Sequence, residues 1–234
     1  MKPHPKIEVL PSLLAADFSD LKGQIRKIEA AGCSKLHLDI MDGTFVPNIT
    51  FGPALISSIR KISGLFFQAH LMIDRPERYL AIFKRAGVDG IIIHEESCCN
   101  FRNTLKAIKA LKLKAGITLK PRTPVSSIEK VVKEVDYILI MSVEPGFSGQ
   151  AFIKGSESKI MQARELLKNR GINATIGVDG GINLKTIGQV VRAGADELIC
   201  GEAVFSGDIV KNIKLLYRKA NEAASDARRE ESLD

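Results

Sequence analysis

The chain has 234 residues and a formal net charge of +7, from 34 Lys and Arg against 27 Asp and Glu, and 45% of its residues are hydrophobic. That length suits two small domains or one large repeating α/β unit with a sizeable core. Trp is absent, Tyr occurs three times and no basic run is interleaved with aromatics, so the composition argues against a nucleic-acid surface.

The basic surplus is dispersed among acidic residues, as suits solubility and the attraction of small anions. No apolar stretch reaches the roughly 18 residues of a membrane span, and nothing resembles an export signal, so a cytoplasmic location is expected. The four cysteines, Cys33, Cys98, Cys99 and Cys200, form no C-x-x-C pair and read as thiols rather than a metal or disulfide framework.

A short apolar run over 8–14 opens the chain, and Asp17 or Ser19 can cap an amphipathic helix that ends before Gly32. A strand over 35–43 follows, then a loop over 43–52 and a helix begun near Pro53 with Leu55, Ile56, Ile59 and Ile62 at helical spacing. Further strands are expected over 65–72, 90–94, 114–119, 137–141, 174–179 and 197–200. They alternate with helices over 76–86, 101–111, 125–135, 156–169, 184–193 and 209 to about 224. Eight strand–helix units at intervals of about 25 to 30 residues predict a single-domain (β/α)8 TIM barrel over residues 1–224. The charged tail over 225–234 reads as a frayed helix end or disorder.

Barrel active sites form at the C-terminal ends of the strands and in the loops that follow. The polar residues there are Ser12, His37, Asp39, Asp42, His70, His94, Glu96, Lys120, Glu144 and Asp179; of the four histidines only His4 lies elsewhere. Strand alternation places His37, Asp39 and Met41 on one face, and Gln68, His70 and Met72 likewise. Taken alone, His37 and Asp39 fit a structural hydrogen-bonded pair as well as half of a metal site. Converging in one barrel mouth, His37, Asp39, His70 and Asp179 make a two-His, two-Asp set suited to Zn2+, Fe2+, Mn2+ or Co2+. Glycine-rich turns follow the sixth, seventh and eighth strands, at 146–149, 180–181 and 201. They point to a phosphorylated substrate, although tight turns alone would also use them.

These blocks resemble one family. Pro11-Ser12-Leu13-Leu14-Ala15-Ala16-Asp17, His37-Leu38-Asp39-Ile40-Met41-Asp42-Gly43, Val46-Pro47-Asn48, His70-Leu71-Met72, the run from Met141 through Glu144-Pro145-Gly146-Phe147-Ser148-Gly149 to Gln150, and Val178-Asp179-Gly180-Gly181-Ile182 are similar to the ribulose-phosphate 3-epimerase family. The resemblance implies a metal-dependent 1,1-proton transfer between D-ribulose 5-phosphate and D-xylulose 5-phosphate in the pentose phosphate pathway. It implies one divalent cation per subunit on His37, Asp39, His70 and Asp179, with Asp39 and Asp179 as the acid/base pair. The sugar phosphate would meet Ser12, His70, Asp179, the loop Gly146, Phe147, Ser148 and Gly149, and the amides of Gly180, Gly181, Gly201 and Glu202. Met41, Met72 and Met141 would form an apolar collar, a position equally suited to core packing. A homo-oligomer is also implied.

Glu202 departs from the Gly-Ser that the family commonly has after the eighth strand. It keeps open an epimerase of a six-carbon ketose phosphate such as D-allulose 6-phosphate. A barrel aldolase or decarboxylase would need a lysine inside a strand, and none is centrally placed here.

Overall fold

In the computed structural model, which describes residues 7–231, eight strands run parallel in one sheet. They are β1 (Glu8–Pro11), β2 (Lys35–Met41), β3 (Phe66–Met72), β4 (Gly90–His94), β5 (Lys114–Leu119), β6 (Tyr137–Met141), β7 (Thr175–Asp179) and β8 (Glu197–Cys200). From β2 to β8 each strand pairs with the next and β8 pairs with β1, so the sheet closes on itself apart from a seam. Across that seam β1 and β2 share a single bridge, Ser12 with His37.

Helices α1 (Leu21–Ala30), α2 (Pro53–Arg60), α3 (Leu80–Ala86), α4 (Phe101–Ala110), α5 (Ser156–Arg170), α6 (Ile187–Arg192), α7 (Glu202–Phe205) and α8 (Ile209–Glu231) complete the fold. The predicted helix over 125–135 is two 3-10 turns instead, Val125–Ile128 and Val132–Glu134. Val125, Ile128, Val131, Val132 and Val135 are all buried, so the apolar spacing was a packing signal. Two serines and a run of β-branched residues give the segment little intrinsic helicity. At the other end α8 continues to Glu231. Residues 232–234 of the charged tail, and His4, lie outside the described residues.

Alternation along the strands divides the core in two. Val9, Leu36, Leu38 and Ile40 face outward and pack with Ile25, Ile28 and Ile56 of the helices. Leu10, Ile92, Leu139, Met141, Val143 and Ile199 fill the barrel interior, as the layered packing of such barrels requires. The register sets His37 beside Gln68, Asp39 beside His70 and Met41 beside Met72.

The N-terminal end of the barrel is held by a repeated device. Asp89, Asp136 and Asp196 each stand just before an even strand, and each carboxylate accepts the backbone N–H of a residue in the preceding odd strand: Phe67, Ala115 and Ile176. Arg60, Lys114 and Arg164 neutralise the three in turn. Asp196 is the most buried, at 6% exposure. Removing it strands the buried Ile176 N–H and takes the ion-pair partner from Arg164, which keeps its bonds to the Gly194 carbonyl. Asp196→Ala should therefore lower the unfolding free energy by about 1–3 kcal/mol in urea titrations; a loss below about 0.5 kcal/mol would mean that water replaces the carboxylate without penalty.

Candidate active site

At the C-terminal mouth, β2, β3 and β7 bring four side chains to one point. His70 Nδ1 lies 3.1 Å from Asp39 Oδ1, 3.6 Å from Asp179 Oδ2 and 3.4 Å from His37 Nε2. His37 Nε2 lies 3.3 Å from Asp39 Oδ1 and 4.0 Å from Asp179 Oδ2. One donor atom from each residue falls within 4.8 Å of all the others. Bonds of about 2.0–2.2 Å to a tetrahedral divalent ion give donor–donor edges of about 3.3–3.6 Å, close to the spacing found. The donor set, two imidazole nitrogens and two carboxylate oxygens, suits the same ions, so the residues present fit a resident cation.

Both histidines are fully buried and Asp39 is 3% exposed. Burial works against charge on every member of the set. For His37 it is outweighed by the charge and hydrogen bond of Asp39 and by Asp179, which hold the imidazole up at about 9. Burial likewise opposes charge on Asp39 and His70. The imidazoles nevertheless keep Asp39 well below the usual carboxylate range, and the two carboxylates raise His70. The cluster thus holds the Asp39 carboxylate ionised against imidazole protons, which a cation would replace.

Ser12 donates its hydroxyl to Asp39 Oδ2 at 2.5 Å, leaving Oδ1 toward the two imidazoles. This is a role that Ser12's place in the sequence did not suggest. Asp42 is spent on structure, accepting N–H bonds from Thr44, Phe45 and Asp74.

Above the cluster lies a cavity of about 640 Å³, lined by Ser12, Asp39, Met41, Met72, Met141, Asp179 and the glycine turns after β6, β7 and β8. All three methionines are buried, at 4% or less, and face the cavity while packing with Leu14, Phe45 and Val46 or with the barrel interior. The turn after β7 needs its glycines. Gly180 and Gly181 have φ of +118° and +63°, and a Cβ would meet Val143 at 2.5 Å or the Phe152 backbone nitrogen at 2.5 Å. Gly146, Phe147, Ser148 and Gly149 form one lip, with Phe147 55% exposed at its edge. Asn48 from the β2 loop donates to the Gly146 carbonyl at 2.7 Å, tying two loops together.

Glu202, at the start of α7, lines the cavity beside Gly201, and its Oε2 comes within 3.3 Å of where a Cβ on Gly149 would stand. The carboxylate therefore turns toward the opposite lip. Lys120 does not supply a balancing charge there: its ammonium sits 4.1 Å from the centroid of the Phe45 ring, outside the cavity lining.

Residues 8–205 match the family model described as the ribulose-phosphate 3 epimerase family. The chain belongs to that family. It is 42% identical over 200 residues to a ribulose-phosphate 3-epimerase of Bacillus subtilis, covering 85% of this chain and 92% of the relative. It is also 42% identical over 220 residues to a chloroplastic ribulose-5-phosphate-3-epimerase of Arabidopsis thaliana, covering 92% and 78%. Among solved structures, phosphoribosyl anthranilate isomerase from Thermus thermophilus superimposes with a TM-score of 0.66 at 13% identity, covering 92% of this chain and 99% of that one. That likeness speaks for the barrel fold alone.

Within this epimerase family member, the sequence-named residues Ser12, Met41, Met72, Met141, Asp39, Asp179, Gly146, Phe147, Ser148, Gly149, Gly180, Gly181, Gly201 and Glu202 all line one cavity. Asn183, Lys185 and Ser206 line it too and had no sequence signal. His37 and His70 lie beneath it, in contact with Asp39 and Asp179. Because His37 holds its second proton up to about pH 9, a cation arriving at Nε2 must displace it. Cation affinity should strengthen as pH rises from 6 toward 9, by up to roughly tenfold per pH unit for one released proton, and then level off. Calorimetric titration of Zn2+ in buffers of different ionisation enthalpy measures both affinity and protons released; a flat profile with no proton release would contradict the assignment.

Proposed function

We propose that this protein interconverts D-ribulose 5-phosphate and D-xylulose 5-phosphate by moving one proton at C3, with a divalent cation held by His37, Asp39, His70 and Asp179. The observation that carries this reading is the meeting of two carboxylates, from β2 and β7, at one imidazole nitrogen under an apolar and glycine-lined cavity. The printed names of the relatives support the same reaction and substrate.

Inverting a carbon next to a ketone requires a base on one face and an acid on the other. One of Asp39 and Asp179 takes the C3 proton, and the C–H electron pair moves through C2 onto the ketone oxygen, giving a planar enediolate. The other carboxyl, protonated, returns a proton to the opposite face of C3 as the electrons move back. The two carboxylates have then exchanged roles, which suits a reaction that runs both ways. A bound cation would polarise the ketone and offset the negative charge of the enediolate.

Ser12 orients Asp39 through its hydrogen bond. Met41, Met72 and Met141 give the flat intermediate a dry, polarizable wall. Amides at Gly180, Gly181, Gly201 and Glu202 take the phosphate, and the Gly146–Gly149 loop covers it. A homo-oligomeric, cytoplasmic enzyme belongs to the same reading. It agrees with the absence, among the described residues, of any helix long and apolar enough to cross a membrane; light scattering on the purified protein measures the oligomeric state.

The test is a coupled assay on metal-stripped protein in D2O, with five- and six-carbon ketose phosphates and one divalent cation added at a time. Activity should return only with a cation, should favour D-ribulose 5-phosphate, and should leave one deuterium at C3 of the product. Asp179→Asn, reloaded with the cation, should lose about 10²–10⁴-fold in turnover. Product formed without deuterium, or near-normal turnover in that variant, would remove the two-carboxylate mechanism.

Glu202 places a negative charge where the phosphate is expected, and like charges repel across a partly desolvated cavity. Glu202→Ser should lower KM for the sugar phosphate several-fold with little change in kcat. An unchanged KM would mean that the carboxylate swings out when substrate enters.

A further inference from the structure

Each imidazole of the cluster turns only one nitrogen toward the cation point. The other nitrogen of each enters a chain of polar contacts that runs to a glutamate. His37 Nδ1 lies 2.8 Å from Gln68 Oε1, Gln68 Nε2 donates to Glu197 Oε2 at 2.9 Å, and Glu197 Oε1 is paired with the Lys35 ammonium at the N-terminal end of β2. His37 and Gln68 are wholly buried and Glu197 is 2% exposed. On the other side His70 Nε2 lies 2.8 Å from His94 Nε2, and the two rings stack with centroids 4.9 Å apart. His94 is itself fully buried, and its Nδ1 makes no hydrogen bond but faces Glu96 Oε2 at 3.4 Å. Glu96 is fixed in turn by the Lys120 N–H at 2.9 Å and by the Thr123 hydroxyl.

The donor and acceptor roles along both chains follow from their ends. A Glu197 carboxylate paired with lysine only accepts. Gln68 must therefore give it the amide N–H, and the amide oxygen that remains can only accept from His37. One His37 proton stays on Nδ1, and Nε2, which faces Asp39, Asp179 and His70, is the nitrogen that gives up its proton to a cation. On the second chain, two Nε2 atoms 2.8 Å apart need one proton between them. Since a lone pair at His70 Nδ1 requires the proton on Nε2, His70 donates and His94 accepts. The His94 proton is then left on Nδ1, facing the Glu96 carboxylate.

We propose that Gln68 with Glu197, and His94 with Glu96, are positioning residues that preset the tautomers of His37 and His70. The nitrogen that each imidazole frees when a cation displaces its second proton is then already aimed at one point. Neither pair touches the cation point itself. An imidazole otherwise chooses between two tautomers, and outer partners of this kind commonly govern how tightly a site holds its ion. Gln68 stands in the alternation beside His70, and His94 and Glu96 close β4, yet none of the four belongs to the two-His, two-Asp set.

This inference rests on the reading of the cluster as a cation site, and the experiment separates the two. Full-length protein carrying 15N-labelled histidine is titrated with Zn2+, and long-range 1H–15N correlation spectra locate the ring protons. The expected result is a proton on Nδ1 of His37, Nε2 of His70 and Nδ1 of His94 in the Zn2+-loaded protein. Gln68→Leu, which keeps the volume and removes the acceptor, should weaken Zn2+ binding about 10–100-fold with an unchanged circular dichroism spectrum. Glu96→Leu should do the same, and Glu96→Gln, which keeps an acceptor, should recover most of the loss.

Leu variants that bind Zn2+ within twofold of the parent overturn the inference while leaving the cation site. Protons at the opposite positions in the Zn2+-loaded protein, or a parent that takes up no Zn2+, overturn both. Should a Leu variant fail to fold, the tautomers of the metal-free parent above pH 9 settle the matter, and protons on His37 Nε2 or His70 Nδ1 there overturn the inference.

Discussion

The structure depends on holding two carboxylates and two imidazoles together out of water. Asp39 is almost fully buried and the imidazoles completely so, and an isolated charge in such a place would be expelled or neutralised. The set persists because every member has a partner of opposite demand within about 4 Å, with Ser12 and Gln68 serving the atoms that face away. That requirement fixes the strand register. A slip of one residue in β2 would turn His37 and Asp39 outward and send Leu38 and Ile40 into the barrel, so the chemistry and the packing demand the same pairing.

The two ends of the barrel do different work. At the N-terminal end, aspartates before β4, β6 and β8 cap neighbouring backbone and are neutralised by arginine or lysine. The capping bonds lie 20 to 22 residues apart in the chain. At the mouth the contacts are long-range, and the glycine turns keep conformations that no other residue enters cheaply. The Lys35–Glu197–Gln68–His37 chain is the exception, since it runs from one end of the interior to the other.

How much of this was legible in the sequence follows from the range of each interaction. Period-two alternation over 35–41 and 66–72 is local, so the inward faces of β2 and β3 could be read directly, and with them His37, Asp39 and His70. The stretch over 125–135 carried helical spacing without helical propensity, and there the spacing misled. Contacts such as Ser12 with Asp39, Gln68 with Glu197 and Lys120 with Phe45 join residues 27, 129 and 75 positions apart. No local pattern encodes them, and they exist only once the barrel has set its register. Glu202 was legible as an oddity, whereas its turn toward Gly149 was not.

The seam of the barrel gives the cluster a second meaning. Between β1 and β2 the backbone contributes one bridge, at Ser12 and His37, and a buried side-chain link across the gap is the Ser12 hydroxyl on Asp39. An ion held by residues of β2, β3 and β7 would span that opening from the inside, like a clasp on a hoop. Occupancy of the site would then be linked to closure of the whole sheet: whatever binds the closed ring more tightly than the open one raises the melting temperature, and an empty site would leave the fold loosest at the strand pair least able to hold itself.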